Sequence, residues 1–86
     1  MPGISRDNDT AGGDLVPSVT TVFANNEEII VDRDTVVGHG SHPTNAINAG
    51  SNNVFAGADK KAVVNIGDVA DCGYTATGSG DVFVGD

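Results

Sequence analysis

A short phrase recurs along this chain. Gly50-Ser51-Asn52-Asn53-Val54-Phe55 returns as Gly78-Ser79-Gly80-Asp81-Val82-Phe83, and a worn copy, Ser18-Val19-Thr20-Thr21-Val22-Phe23, precedes both. The Val-Phe pairs end at residues 23, 55 and 83, so the chain is built from about three similar units. A single chain carrying three like units is suited to sit on something with three-fold symmetry.

The 86 residues make one domain, residues 1–86. A domain this small buries a modest share of its surface and often needs a metal, a disulfide or a partner. Twelve glycines, in the company of Val, Thr and Asn, argue for short strands joined by tight turns. No stretch sustains a helical period. The expected class is therefore all-β.

Charge narrows the partners. Twelve acidic and four basic residues give a formal net charge of −8. Binding a nucleic-acid backbone needs Lys and Arg to displace counterions, so no nucleic-acid partner is expected. Docking by charge on an anionic membrane is excluded on the same ground. No apolar run approaches the roughly 20 residues of a membrane span, and the first residues lack the apolar core of a signal peptide.

Residues 1–18 are polar, with Pro2 and Pro17, and read as loop. A hairpin is expected next: Val19-Thr20-Thr21-Val22-Phe23, an Asn25-Asn26 turn, and Glu28-Ile29-Ile30-Val31 as the return strand. A polar loop follows over residues 38–45. A second hairpin pairs Asn53-Val54-Phe55-Ala56 with Ala62-Val63-Val64-Asn65-Ile66. Tyr74-Thr75-Ala76-Thr77 then leads into Asp81-Val82-Phe83-Val84, where the third hairpin lacks a return strand.

A second alignment bears on chemistry. Asp34-Thr35-Val36-Val37-Gly38-His39 matches Asp9-Thr10-Ala11-Gly12-Gly13-Asp14, so that Asp14 stands where His39 stands, and Asp68 is followed four residues later by Cys72. Three loops after three Asp residues would converge near a three-fold axis. Zinc and ferrous iron take His nitrogen, Cys thiolate and carboxylate oxygen, which makes Asp14, His39, His42 and Cys72 the candidate ligands. Four such ligands close a tetrahedral site, which is structural and adds its binding energy to folding. Each residue also has a plainer reading: Cys72 as a buried thiol or an intermolecular bridge, and the two His and Asp14 as solvated surface groups.

The combination of Gly-Ser-x-x-Val-Phe, a hairpin, Gly67-Asp68, and a loop with His39-Gly40 or Cys72-Gly73 resembles the PAAR-repeat proteins over nearly the whole chain. The opening Gly3-Ile4-Ser5-Arg6 with Asp9-Thr10 is most similar to phage members. The resemblance implies a small cone of short β-hairpins with three pseudo-symmetric repeats and a metal, usually zinc, near the tip on three His and one Cys. It implies a structural part rather than an enzyme. One copy would cap a homotrimeric β-helical spike and sharpen it for piercing a target cell envelope, in the baseplate of a phage virion or, alternatively, at the exported tip of a type VI secretion apparatus. This chain departs from the family in holding only two His, and the vacant ligand place falls on Asp14. Val22, Val54 and Val82, or the Phe after each, would supply apolar contact at the base. A small metal-dependent enzyme is the competing reading. It lacks a nearby general base and the chain length for a pocket, so no small-molecule substrate is expected.

Overall fold

The computed structural model describes residues 2–50 and 54–84. Ser51, Asn52 and Asn53, part of the second repeated phrase, lie outside the described residues. Among the described residues there is no helix, and every strand pairing is antiparallel. The strands are short: β1 (Thr10–Ala11), β2 (Gly13–Val16), β3 (Phe23–Ala24), β4 (Glu27–Glu28), β5 (Thr35–Val36), β6 (Asn45–Asn48), β7 (Phe55–Ala56), β8 (Lys61–Ala62) and β9 (Val69–Ala70).

Backbone hydrogen bonds make the three-fold repeat visible. Ser5 N–H donates to Val64 O (2.9 Å), Val64 N–H to Ile30 O (2.8 Å), and Ile30 N–H to Ser5 O (3.1 Å). Each of three short segments gives one bond and takes one, so the ring closes with no edge left at that level. All three residues are fully buried, and Ser5 pairs its hydroxyl with Thr77 O at 2.6 Å.

The same turn leaves the ring in each unit. The carboxylate of Asp9 accepts Arg6 N–H, that of Asp34 accepts Val31 N–H, and that of Asp68 accepts Asn65 N–H, at 2.9, 2.9 and 3.0 Å. The residue before each Asp has positive φ: Asn8 at 76°, Arg33 at 67° and Gly67 at 93°. Asn and Gly tolerate that region; Arg33 occupies it under strain. Past the Asp come β1, β5 and β9, whose Ala11, Val36 and Ala70 form one buried layer. The chain then returns to the turn. Leu15 N–H, Ile47 N–H and Ala76 N–H donate to the carbonyls of Asp9, Asp34 and Asp68, and the three side chains form a second buried layer.

These strands follow one another laterally as β1-β2-β5-β6-β9. Residues 74–77 complete the circuit, because Thr75 bridges Val69 and Thr77 N–H donates to Thr10 O at 2.8 Å. The opening segment, expected as loop, therefore carries β1 and β2. Its Gly and Asp residues hid a tight hairpin, Ala11↔Gly13 about Gly12 at φ +84°.

A second apolar cluster gathers Ile4, Ala24, Ile29, Val31, Val63 and Val84. It belongs to the Val-Phe hairpins. The expected Asn25-Asn26 turn joins β3 to β4, with both residues at positive φ (53° and 65°), as a two-residue hairpin requires. From Ile29, whose N–H still bonds Val22 O across the hairpin, the expected return strand turns to other segments: Ile29 bridges Arg6 and Val31 bridges Val63. The second hairpin is β7 with β8. The third is not missing its return strand. Gly3 bridges Phe83, Ile4 N–H donates to Val82 O (2.9 Å), and Val84 N–H donates to Pro2 O (2.8 Å). Ile29 N–H on Val22 O and Val63 N–H on Val54 O repeat that bond in the other units. The third unit is split between the two ends of the chain, which no local reading of residues 74–84 could reveal.

Candidate functional site

Each unit suspends a loop between its two buried layers, and the three loops differ. The first spans residues 12–14, the second 37–46 and the third 71–75. The second loop carries His39 and His42 and folds back on itself. His39 N–H donates to His42 O (3.0 Å) and His42 N–H to His39 O (2.8 Å), about a turn with Gly40 at φ +55°. The two residues are direct cross-strand partners, so their imidazoles stand side by side, ring centroids 5.2 Å apart.

The third loop brings Cys72 and Tyr74 to the same place. Cys72 is half-buried, packs on the inner apolar cluster, and holds Sγ 3.8 Å from His39 Nε2. The Tyr74 ring meets both imidazoles edge-on, at 5.1 Å from His39 and 5.4 Å from His42. The first loop contributes room. A Cβ on Gly12 would sit 2.5 Å from His39 Nε2, and one on Gly13 would sit 2.6 Å from His39 Nδ1. The His39 ring lies over that glycine pair.

His39 is oriented for ligation. Its Nδ1 lies 3.0 Å from Val37 O. A carbonyl only accepts, so Nδ1 is the donor of that bond, and in the neutral imidazole this tautomer leaves the Nε2 lone pair free on the side of Cys72. An outer hydrogen bond of this kind is the usual device for fixing a metal-binding imidazole. Zinc–nitrogen and zinc–sulfur bonds of about 2.0 and 2.3 Å span a gap like that between Nε2 and Sγ. This pair of donors fits a transition metal. Among the described residues, however, no group of three or more His, Cys, Asp and Glu side chains is gathered closely enough to hold an ion.

Asp14 is not brought to the cluster's inner side. It lies on β2 opposite Thr10, with Gly13 and Leu15 buried on either side of it and its own side chain exposed. Counting forward from the Asp turn aligns Asp14 with His39. Counting back from the buried layer aligns it with Ala46, because the first loop is short.

An open cleft beside the cluster is lined by His42, Pro43, Asn45, Asp71 and Cys72. Asp71 is gripped from behind by Arg33, with Nη1 and Nη2 at 3.0 and 3.1 Å, and by Asn48 Nδ2 at 2.9 Å. The Arg33 bond, and then the Asn48 bond, holds the Asp71 carboxyl below its ordinary value of 3.8. Asp71 also raises Arg33 above its ordinary value. The clamp ties the turn of the second unit to the loop that carries Cys72.

Sequence reasoning missed Asn45 and Tyr74. The signal for Asn45 was its place two residues before Ile47 on one strand, which puts both on one face. Tyr74 had no signal beyond its adjacency to Cys72-Gly73.

No protein-family model matches the chain, and no curated protein matches it.

Proposed function

We propose that this chain is the tip of a contractile injection spike, capping the end of a homotrimeric β-helical protein with one copy per three partner chains. The phage tail spike is the favoured setting, and the spike of a type VI secretion apparatus would make the same demands. The observation that carries the reading is the set Phe23, Phe55 and Phe83. These rings are 57%, 58% and 51% exposed, and each sits at the same cross-strand place, opposite Glu28, Ala62 and Gly3. Three large exposed apolar groups at corresponding places of the repeat supply one contact in each unit for a partner to cover. A three-fold partner covers all of them at once. Val22 and Val54 are exposed beside them, while Val82 is half-buried, so the Phe residues supply most of the contact.

The two apolar clusters suit opposite ends of a cone. The Val-Phe hairpins belong to one, and Cys72 packs on the other. At the narrow end, His39, His42 and Cys72 would hold one metal ion, zinc or iron; the repeat alignment alone would put the fourth ligand at Asp14, which lies on the exposed face of β2. The ion would act as a structural cross-link between the second and third loops, where there is too little chain for a core. Ligands spent on closure leave no place for a reactive water, so the reading is structural rather than enzymatic.

Native mass spectrometry of the chain mixed with a trimeric spike tests the reading. One copy per trimer is expected, with binding that changes little between low and high salt because the contact is apolar. Phe55→Asp weakens it by burying an unpaired carboxylate. Three copies per trimer, or no complex with any such spike, overturns it.

A further inference from the structure

Asn45 has an oxygen without a partner. Its Oδ1 is buried and accepts no hydrogen bond. The amide is oriented by its other end, since Nδ2 donates to Pro43 O at 3.0 Å. A flip would turn the NH2 group into the orphaned position and set Oδ1 against a carbonyl, so the assignment is fixed. Leaving a buried acceptor unpaired costs stability. A chain that carries such an atom usually has something to put there.

The strand says where that atom sits. Asn45 is opposite Val36 in the β5–β6 ladder and two residues from the fully buried Ile47. Alternation therefore puts Asn45 on the inner face, one step closer to the tip loops than the Ile47 layer. The corresponding positions in the other units, two residues before Leu15 and Ala76, are Gly13 and Tyr74. Those two are the residues that touch His39 from below and from the side. Asn45 also lines the cleft that His42 and Cys72 line. Asp14, by contrast, is on the outer face of its strand.

We propose that the Asn45 carboxamide oxygen completes the tip site, so that a cation is held by His39, His42, Cys72 and Asn45 Oδ1 rather than by Asp14. The inference rests on the metal reading above and deepens it. It assigns the site a neutral fourth donor. A divalent ion on one thiolate, two imidazoles and a carboxamide keeps one positive charge, where a carboxylate would neutralise it. A carboxamide oxygen is a weaker donor to zinc than an imidazole nitrogen or a thiolate, so the site is weaker than an all-nitrogen-and-sulfur one.

Cobalt(II) is the probe, added to the purified full chain, with affinity read by competition against a chelator and ligation read from the visible spectrum. The wild-type chain should bind one equivalent and show a thiolate-to-cobalt absorption band. Asn45→Ala should bind at least about tenfold more weakly and shift the visible bands. Asn45→Asp should restore binding, and Asp14→Ala should match the wild type. Without metal, Asn45→Ala should melt at or above the wild-type temperature, because an orphaned acceptor has been removed; a merely structural asparagine would give a lower one. If Asn45→Ala binds cobalt as the wild type does, with the same spectrum, Asn45 has no part in the site. If Asp14→Ala is the variant that loses affinity, the donor is Asp14. A wild-type chain with no thiolate band brings down the metal reading itself, an outcome separate from either of those.

Discussion

Between Asp34 and Ile47 the chain does what it does between Asp9 and Leu15, and again between Asp68 and Ala76. It leaves a turn closed by an aspartate, buries one small apolar residue, and comes back to bond the same aspartate's carbonyl. What hangs between those fixed points is not repeated. One unit has three residues there, one has ten and one has five. The frame is specified by main-chain bonds that aliphatic side chains of different size and branching accommodate, so the same place is filled by Leu15, Ile47 or Ala76. The loops are specified by side chains, and each has a different task. The first makes space with Gly12 and Gly13, the second carries both imidazoles, and the third carries the thiol and Tyr74.

If the frame is the part that decides folding, damage to the ring should far exceed damage to any loop. Val64→Asp buries a carboxylate where three main-chain bonds already use every nearby partner. It should yield no folded protein by circular dichroism. Tyr74→Ala, at a residue about half exposed, should fold. A folded Val64→Asp chain would mean that the ring is not what closes the three units.

The loops carry the next largest effect if the proposed ion is present. Chelation should lower the melting temperature by ten degrees or more, on a scale of about 4–8 °C per kcal/mol for a domain of this size. Cys72→Ser should lose the ion and the same increment. An unchanged melting temperature after verified metal removal would return the loops to a passive role, held by their hydrogen bonds, the Arg33–Asp71 clamp and the His39, His42 and Tyr74 ring contacts.

A smaller effect separates the three turns. Asp34 is nearly fully buried and also takes the Ser18 hydroxyl and N–H, so Asp34→Ala should cost about 1–3 kcal/mol by leaving Val31 N–H unpaired. Asp68 is half-buried and its bond to Asn65 N–H is less enclosed than that of Asp34 to Val31 N–H, so Asp68→Ala should cost less. Equal costs in urea unfolding would show that the turns are equivalent in energy as well as in geometry.

Sequence legibility follows the same division. The all-β class, the three units and the Asn25-Asn26 turn could be read, because glycine, asparagine and the Val-Phe pairs act locally. β5, β6 and β9 went unread. Strands of two to four residues have no periodicity to detect, and each of these pairs with at least one strand from another unit. The split third hairpin was invisible for a like reason: Gly3 and Phe83 are neighbours only in space. Of the candidate ligands, His39 stands beside both His42 and Cys72. Asp14 was placed by counting residues, and counting breaks down where one loop is shorter than its fellows.

The smallest expected effect lies on the clamp between frame and loop. Arg33 sits on the frame's turn at φ 67° and grips Asp71, the residue before Cys72. Both side chains are about half exposed, so the pair contributes little at neutral pH and less as salt rises. Its signature is in acid. The folded Asp71 carboxyl titrates below its ordinary value, first because of the Arg33 bond and then the Asn48 bond. A carboxyl depressed in the folded state contributes stability above about pH 4 and loses it as pH falls through the lower folded value. Asp81, held down by Ser79 and then Asn25, loses its share over the same range, on the hairpin side of the molecule. Asp71→Asn should therefore flatten the acid limb of the melting-temperature profile below pH 4 without moving the neutral plateau much, and Asp81→Asn should do the same independently. An Asp71→Asn profile that overlays the wild type throughout would show that the frame holds the Cys72 loop without the ion pair, by the Asp71 N–H bond to Ala46 O alone.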